Sequence, residues 1–368
     1  MCGSQNVEDN ESFLSKLVLE PVCKAADKEV NESLSVAPTI DKSGDRVYNQ
    51  YIKYELRGKK MVYNNILEAI GSTPLIRLSR INPPGNADIL VKFEGLNVGG
   101  SIKTRTAFNM IAAAEREGLI NKDTVIVEPT SGNQGIGLAL VGAVRGYRTV
   151  IIMPDSVSVE RRKLIAHYGA QVVLIHDDGD IGKCIKKCAE KAEEMKRADS
   201  RVFVPQQFEN ENNILAHITG TAREIAEQAG VPIDGFCSGI GTGGTITGIG
   251  RVLKERDPNV TIWAAEPENA AILAGGAVGT HLQMGIGDGI IPKILDMEIY
   301  DHIHIVSDEV AVSTAKRLAS EEGIMCGISS GTNVATALEM AKVLGAGKTV
   351  VTILPDTAER YFSTPLFE

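Results

Sequence analysis

From Met61 onward, short runs that are apolar at nearly every position alternate with segments whose apolar residues recur every three to four positions. The runs are Asp88–Phe93, Thr124–Glu128, Thr149–Pro154 and Gln171–Ile175 in the first half. Gly235–Ser238, Thr261–Ala265 and Thr349–Leu354 repeat the theme in the second. Strands that are apolar throughout lie buried on both faces, as in parallel sheets covered by helices. Helical periodicity follows Lys103, with Ala107, Met110, Ile111 and Ala114 on one face, and returns in Val159–Tyr168 and Ile246–Lys254. A further apolar run, Ile136–Val141, comes after a glycine-rich turn. Two such series predict an α/β protein of two lobes, 61–210 and 211–368, each with a mainly parallel sheet and with the active site in the cleft between them. Residues 1–60 are polar and acidic, without sustained period, and predict a partly disordered extension.

Composition narrows the function classes. The 368 residues carry a net charge of −9, which argues against a nucleic-acid surface. No apolar run approaches the ~20 residues of a membrane span, and the N-terminus shows no basic-then-apolar export signal, so a cytoplasmic protein is expected. Asn10-Glu11-Ser12 and Asn31-Glu32-Ser33 match the glycan acceptor pattern but mean nothing without export. The six cysteines are scattered. Cys184 and Cys188, four apart on a charged helical segment, lack two further ligands nearby, so no metal is expected. His302 and His304 alternate on a strand and read as surface residues, and His217 as structural.

The chemistry concentrates in loops that follow strands, where α/β folds bind ligands. Lys103 follows Gly99-Gly100-Ser101 at a helix start, placing an amine suited to a Schiff base. Gly241-Thr242-Gly243-Gly244-Thr245 opens a helix and can hold a phosphate on its backbone N–H groups. The longer stretch Gly239–Gly244, with Glu266 beyond the next strand, also fits the dinucleotide fingerprint and keeps an NAD-dependent oxidoreductase open. Thr130, Ser131, Asn133 and Gln134 cluster hydroxyls and amides at another helix start, a carboxylate pocket or an ordinary cap. Ser329 sits in Gly327–Thr332, and Asp288 lies between Gly287 and Gly289, a turn aspartate or a carboxylate turned into a cleft.

In chain order, Lys103, the Thr130–Gln134 loop, Gly241–Thr245 and Ser329 resemble the fold type II pyridoxal-phosphate enzymes, the cysteine synthase and cystathionine β-synthase family. The resemblance runs from about Tyr63 to Phe367 and includes Ile70–Leu75, Gln206–Asn210 and Leu354–Tyr361. It implies pyridoxal 5′-phosphate held on Lys103, which is also the base for the substrate Cα proton. It implies the phosphate on Gly241, Thr242, Gly243, Gly244 and Thr245, the ring oxygen on Asn133, and the pyridine nitrogen on Ser329. The substrate carboxylate would rest on Thr130, Ser131, Asn133, Gln134 and Gln207. The implied activity is β-replacement on a serine- or cysteine-type amino acid through an aminoacrylate. An O-acetylserine-like donor would react with sulfide or a thiol, or cysteine with release of hydrogen sulfide. A homodimer is implied as well, and a silent partner-binding relative is disfavoured by the intact loops. Three positions depart from the family pattern: Thr104, Gln134 and Asp288. The last could deprotonate a thiol or bind an ammonium group, and is taken as a catalytic candidate. Residues 1–66 contain no histidine, so the haem of animal cystathionine β-synthases is not expected.

Overall fold

The computed structural model describes residues 62–368 apart from Asp180, together with β1 (Thr39–Ile40) and β2 (Arg46–Val47), which pair antiparallel with each other. The extension expected over 1–60 otherwise lies outside the described residues. Among the described residues no helix is long and apolar enough to cross a membrane.

Two sheets organise the body. The larger runs β11 (His302–Val306), β10 (Thr261–Pro267), β9 (Gly235–Gly239), β12 (Thr349–Leu354), β4 (Asp88–Phe93) and β3 (Leu75–Arg77). Every pairing in it is parallel except that of β3 with β4. The smaller is wholly parallel, ordered β7 (Gln171–Ile175), β6 (Arg148–Pro154), β5 (Val125–Pro129), β8 (Val202–Phe203). The expected boundary at 210/211 does not follow these sheets. Strand β4, buried at every position but its first, pairs residue for residue with β12 and so belongs with the second-half strands.

The continuous apolar runs hide a period of two. In the smaller sheet Ile126, Ile151 and Met153 pack under α1 (Lys103–Arg116), α2 (Asn133–Arg145) and α3 (Val159–His167). Val125, Val127, Val150 and Ile152 pack against α4 (Ile181–Ala198), where Cys184 and Cys188 are core residues. The short α5 (Glu211–Ala216) lies against α1. In the larger sheet Leu90, Val351 and Ile353 face α6 (Ala222–Ala229) and α7 (Gly244–Arg256). Ile89, Val91, Val350 and Leu354 face α8 (Asp308–Glu322) and α9 (Ile328–Leu344). Helices on both faces satisfy both sets of side chains. The Ile136–Val141 run is the middle of α2, buried from Gln134 to Gly142. A helix buried all round carries the same unbroken apolarity as a buried strand. His302 is exposed as expected, but His304 is half-buried with Nδ1 3.1 Å from Thr336 Oγ1.

Helix α1 is anchored by buried charge. Arg105 donates to Glu94 at 2.8 Å and to Glu224 at 2.7 Å, and Lys92 lies 2.7 Å from Glu224. Burial alone would lift the Glu224 carboxyl, yet Arg105 and then Lys92 outweigh it and hold it at about 2. Two cations and two carboxylates thus balance each other, and one of the cations follows Lys103 by two positions on α1. Arg105→Met would leave Glu94 without its ion-pair partner and Glu224 with Lys92 alone. It is expected to destabilise the protein by about 3–5 kcal/mol in urea unfolding, and a loss under about 1 kcal/mol would contradict the network's role.

Candidate active site

Strand ends from both sheets open on one cavity. Lys103 lies in its wall, at the first position of α1, after Gly99 and Gly100, whose φ of +73° and +68° only glycine adopts freely. The turn is held from the far end of the chain, where Ile102 N donates to Pro355 O at 2.9 Å. Lys103 Nζ makes no hydrogen bond or ion pair among the described residues. Burial brings its pKa down to about 8, against the nearby Asp288 carboxylate, which raises it.

Strand β5 runs straight into Thr130, Ser131 and Gly132, and α2 then begins at Asn133. Thr130, Ser131, Asn133 and Gln134 all line the cavity. Asn133 has its amide orientation fixed: Nδ2 donates to Asp356 at 2.6 Å, and Oδ1 accepts from Arg360 at 2.6 Å. Gln134 turns its Oε1 to Thr106 Oγ1 at 2.8 Å, one turn beyond Lys103, and its buried Nε2 has no partner. Opposite this loop Gln207 lines the same cavity. The sequence reading missed what holds it. Glu128, fully buried at the end of β5, accepts the backbone N–H of Gln206 at 3.0 Å and of Gln207 at 2.9 Å. Gln206 has a φ of +60°, uncommon for a residue with a side chain. Burial raises the Glu128 carboxyl to about 7, with the two N–H groups opposing. A glutamate inside an apolar strand was the available signal.

Gly241, Thr242, Gly243 and Thr245 line the other side, while Gly244 lies just behind them as the first residue of α7. The residue before α7 is Gly243, at φ +78°, and it brings no capping side chain. Gly244 N reaches Thr242 Oγ1 at 3.5 Å, and the N–H groups that follow it in the first turn are left for an anion. Thr242 Oγ1 accepts from Asn213 Nδ2 at 3.0 Å, and Thr245 Oγ1 lies 3.3 Å from His217 Nε2. His217 is held far below its usual pKa by burial and by Lys103 and Arg105, so it is neutral near pH 7. Ser329, in the first turn of α9, reaches the cavity with a hydroxyl that has no partner among the described residues. Asp288 also lines the cavity, carried between Gly287 and Gly289 at φ +66° and +73°. The structure therefore brings all the expected site residues together, Gly244 alone standing behind the wall.

The dinucleotide alternative fails on geometry. Glu266 accepts the N–H of Leu273 at 3.0 Å and of Ala274 at 3.1 Å and is buried, so its oxygens are engaged by a loop and not turned to a ribose.

A family model described as pyridoxal-phosphate dependent enzyme matches residues 66–356, and the chain belongs to that family. A cysteine synthase of Staphylococcus aureus is 48% identical over 305 residues, covering 83% of this chain and 97% of its own. A solved O-ureido-L-serine synthase superposes with a TM-score of 0.77 at 43% identity, over 83% of this chain and 95% of its own. A hydrogen sulfide-producing enzyme from Fusobacterium nucleatum gives 0.77 at 41% identity, over 82% and 100%. The enzyme is pyridoxal-phosphate dependent, and the donor set fits that cofactor: an unpaired amine for its carbonyl, an uncapped helix start for its phosphate, and an unpartnered hydroxyl opposite.

A Lys103 amine of pKa about 8 sets how the cofactor is captured, because the neutral amine is the nucleophile. The rate of cofactor uptake by the stripped enzyme is expected to rise with pH, with its midpoint near 8 and a plateau above about 9. An amine at its ordinary pKa would give a rate still climbing at pH 10. Since Asp288 favours the charged amine, Asp288→Asn should move the midpoint to lower pH. Stopped-flow absorbance reads both.

Proposed function

We propose that the enzyme carries out β-replacement on an O-acetylserine-like amino acid, in the manner of a cysteine synthase. The observation that carries this reading is Lys103 Nζ, a buried and unpartnered amine in one cavity with the Gly241–Thr245 loop and Ser329. Lys103 would hold the cofactor carbonyl and then take the substrate Cα proton. The Gly241–Thr245 backbone would bind the cofactor phosphate, and the Asn133 amide its ring oxygen. Bound there, pyridoxal phosphate supplies the electron sink that acidifies the Cα–H bond.

Thr130, Ser131, Gln134 and Gln207 would receive the substrate carboxylate, with Glu128 keeping Gln207 in place. Ser329 would face the pyridine nitrogen. A hydroxyl does not hold that nitrogen protonated as a carboxylate would. This favours expulsion of a group from Cβ over a lasting charge on Cα. In the balanced reaction the Cβ–O bond breaks, a Cβ–S bond forms to hydrosulfide, acetate leaves, and Lys103 returns the proton to Cα. With cysteine as donor the Cβ–S bond breaks, sulfide leaves, and water or a second thiol bonds to Cβ in its place. By the family resemblance the working form is a homodimer acting on small molecules.

The purified protein is expected to be yellow, and Lys103→Ala to lose that colour and to be slower by about 10³-fold or more, within the range for a lost base and nucleophile. O-Acetylserine with sulfide should yield cysteine, and cysteine alone should yield hydrogen sulfide if it is the better donor. A colourless wild-type protein, or no product from either donor, would refute the proposal.

A further inference from the structure

Arg161, on α3, is a buried charge to which β-replacement assigns no part. It is 1% exposed and lines the same cavity as Lys103. It lies directly behind Gly132, where a Cβ would come within 2.6 Å of its Cδ and 3.3 Å of its Cζ. Its guanidinium meets neutral groups: Nη2 donates to Tyr361 Oη at 2.8 Å and Nη1 to Met284 Sδ at 3.0 Å. Among the described residues Nε has no partner and no carboxylate forms an ion pair with Arg161. The adjacent Glu160 is taken by Ser363 Oγ at 2.8 Å, and Asp288 answers first to Lys103, then to His281, and least to Arg161. Around Arg161 the charges do not cancel. Arg360, also buried, donates to Asn133 Oδ1 at 2.6 Å and to Gly99 O. Asp356 is the carboxylate of this group, joined to Arg161 through Tyr361 Oη, which donates to it at 2.8 Å. Two guanidinium groups and one carboxylate leave a positive charge unmatched behind Ser131, Gly132 and Asn133. Helix α2 adds to it, since Gly132 brings no capping side chain to its first N–H groups. A buried charge without a counter-charge is strongly disfavoured, so a ligand that supplies the missing negative charge is favoured.

We propose that Arg161 is the residue that makes the Thr130–Gln134 loop select a carboxylate, its charge acting across Gly132 on the α-carboxylate of the donor amino acid. The proposal rests on the β-replacement reading only in placing that carboxylate on this loop. Arg161 is a positioning residue: the hydroxyls, amides and N–H groups of the loop make the contacts, and Arg161 sets the potential in which they work. Attraction across a buried loop stays strong because little water or salt screens it. Hydroxyls and amides alone would hold a neutral carboxamide nearly as well as a carboxylate, whereas a fixed cation behind them discriminates between the two. The same arrangement accounts for Gly132, because a side chain there would push the guanidinium away from the loop.

The test uses the holoenzyme with L-alanine, which has no group to expel from Cβ, and with L-alaninamide, its counterpart without the carboxylate. Binding is read from the change in cofactor absorbance. The wild type should prefer alanine, and in Arg161→Met the ratio of the two affinities should fall by about tenfold or more, with the affinity for alaninamide little changed. Comparing ratios between variants cancels the different basicity of the two amines. Arg161→Lys keeps the charge and should keep most of the ratio. Arg161→Gln, which keeps a donor for Tyr361, replaces Arg161→Met if that variant does not fold. Were Arg161 only a brace for Tyr361 and Met284, both ligands would weaken together and the ratio would stand, which would overturn the proposal. A wild type that takes both ligands alike would overturn it without any variant. Cysteine formed from O-acetylserine and sulfide while the ratio stands would sink this proposal and spare β-replacement. A falling ratio without that product would uphold it and sink β-replacement.

Discussion

The site depends on one carboxylate near the end of the chain. Asp356 Oδ2 accepts from Asn133 Nδ2 at 2.6 Å and from Tyr361 Oη at 2.8 Å, while its backbone oxygen accepts from Gly327 N at 3.3 Å. The residue before it, Pro355, holds the turn that presents Lys103. Asp356 thereby joins the segment carrying the amine, the loop carrying Asn133 and the helix start carrying Ser329. Gly327 has to be glycine for this, since a Cβ there would run into both the Asp356 carboxylate and the Tyr361 ring. The charge is buried and multiply hydrogen-bonded, the condition under which a polar network specifies one arrangement.

From that joint the electrostatics of the cavity follow. Tyr361 passes the network on to Arg161, and Arg360 closes it on Asn133. Helix α1 is steadied from below by Arg105 between Glu94 and Glu224, so the helix start that bears Lys103 has little freedom. The amine itself is left with no close partner, and desolvation brings its pKa near 8. Groups that hold the site together make close hydrogen bonds to one another, with Asp356 Oδ1 and Arg360 Nε alone left over from the Asn133–Asp356–Tyr361–Arg360 set. Groups that face the cavity, namely Lys103, Ser329, Asp288 and the Gln134 amide, each keep a charge or hydrogen-bonding atom unpaired. A rigid frame around unsatisfied groups is what preorganised binding requires.

Much of this was legible along the chain because local chemistry decides it. Glycines at Gly99, Gly100 and Gly243 mark turns that other residues resist, and the loops after β5 and β9 carry their donor types in sequence. The family and its cofactor could be read from that ordered set. Other features were not legible. Ile136–Val141 is apolar in the same way whether helix or strand, and burial on all sides decided it. Glu128 reads as one polar residue in a strand until Gln206 and Gln207 are folded onto it. Glu266 matched a fingerprint by spacing, but its oxygens went to a neighbouring loop.

The amino-acid sequence by itself determined which chemical groups this protein possesses and the loops that present them, because turn geometry, helix starts and apolar periodicity act over a few residues. Only the tertiary structure decided their mutual placement. Asn133 and Asp356 are 223 residues apart, and β4 and β12 pair from opposite ends of the body. The pairing of Arg105 with two carboxylates and the absence of any for Arg161 are likewise tertiary outcomes. Both arginines stand in the first turn of a helix. What separates them is the charge that folding brings alongside, and that depends on contacts no short stretch of chain contains.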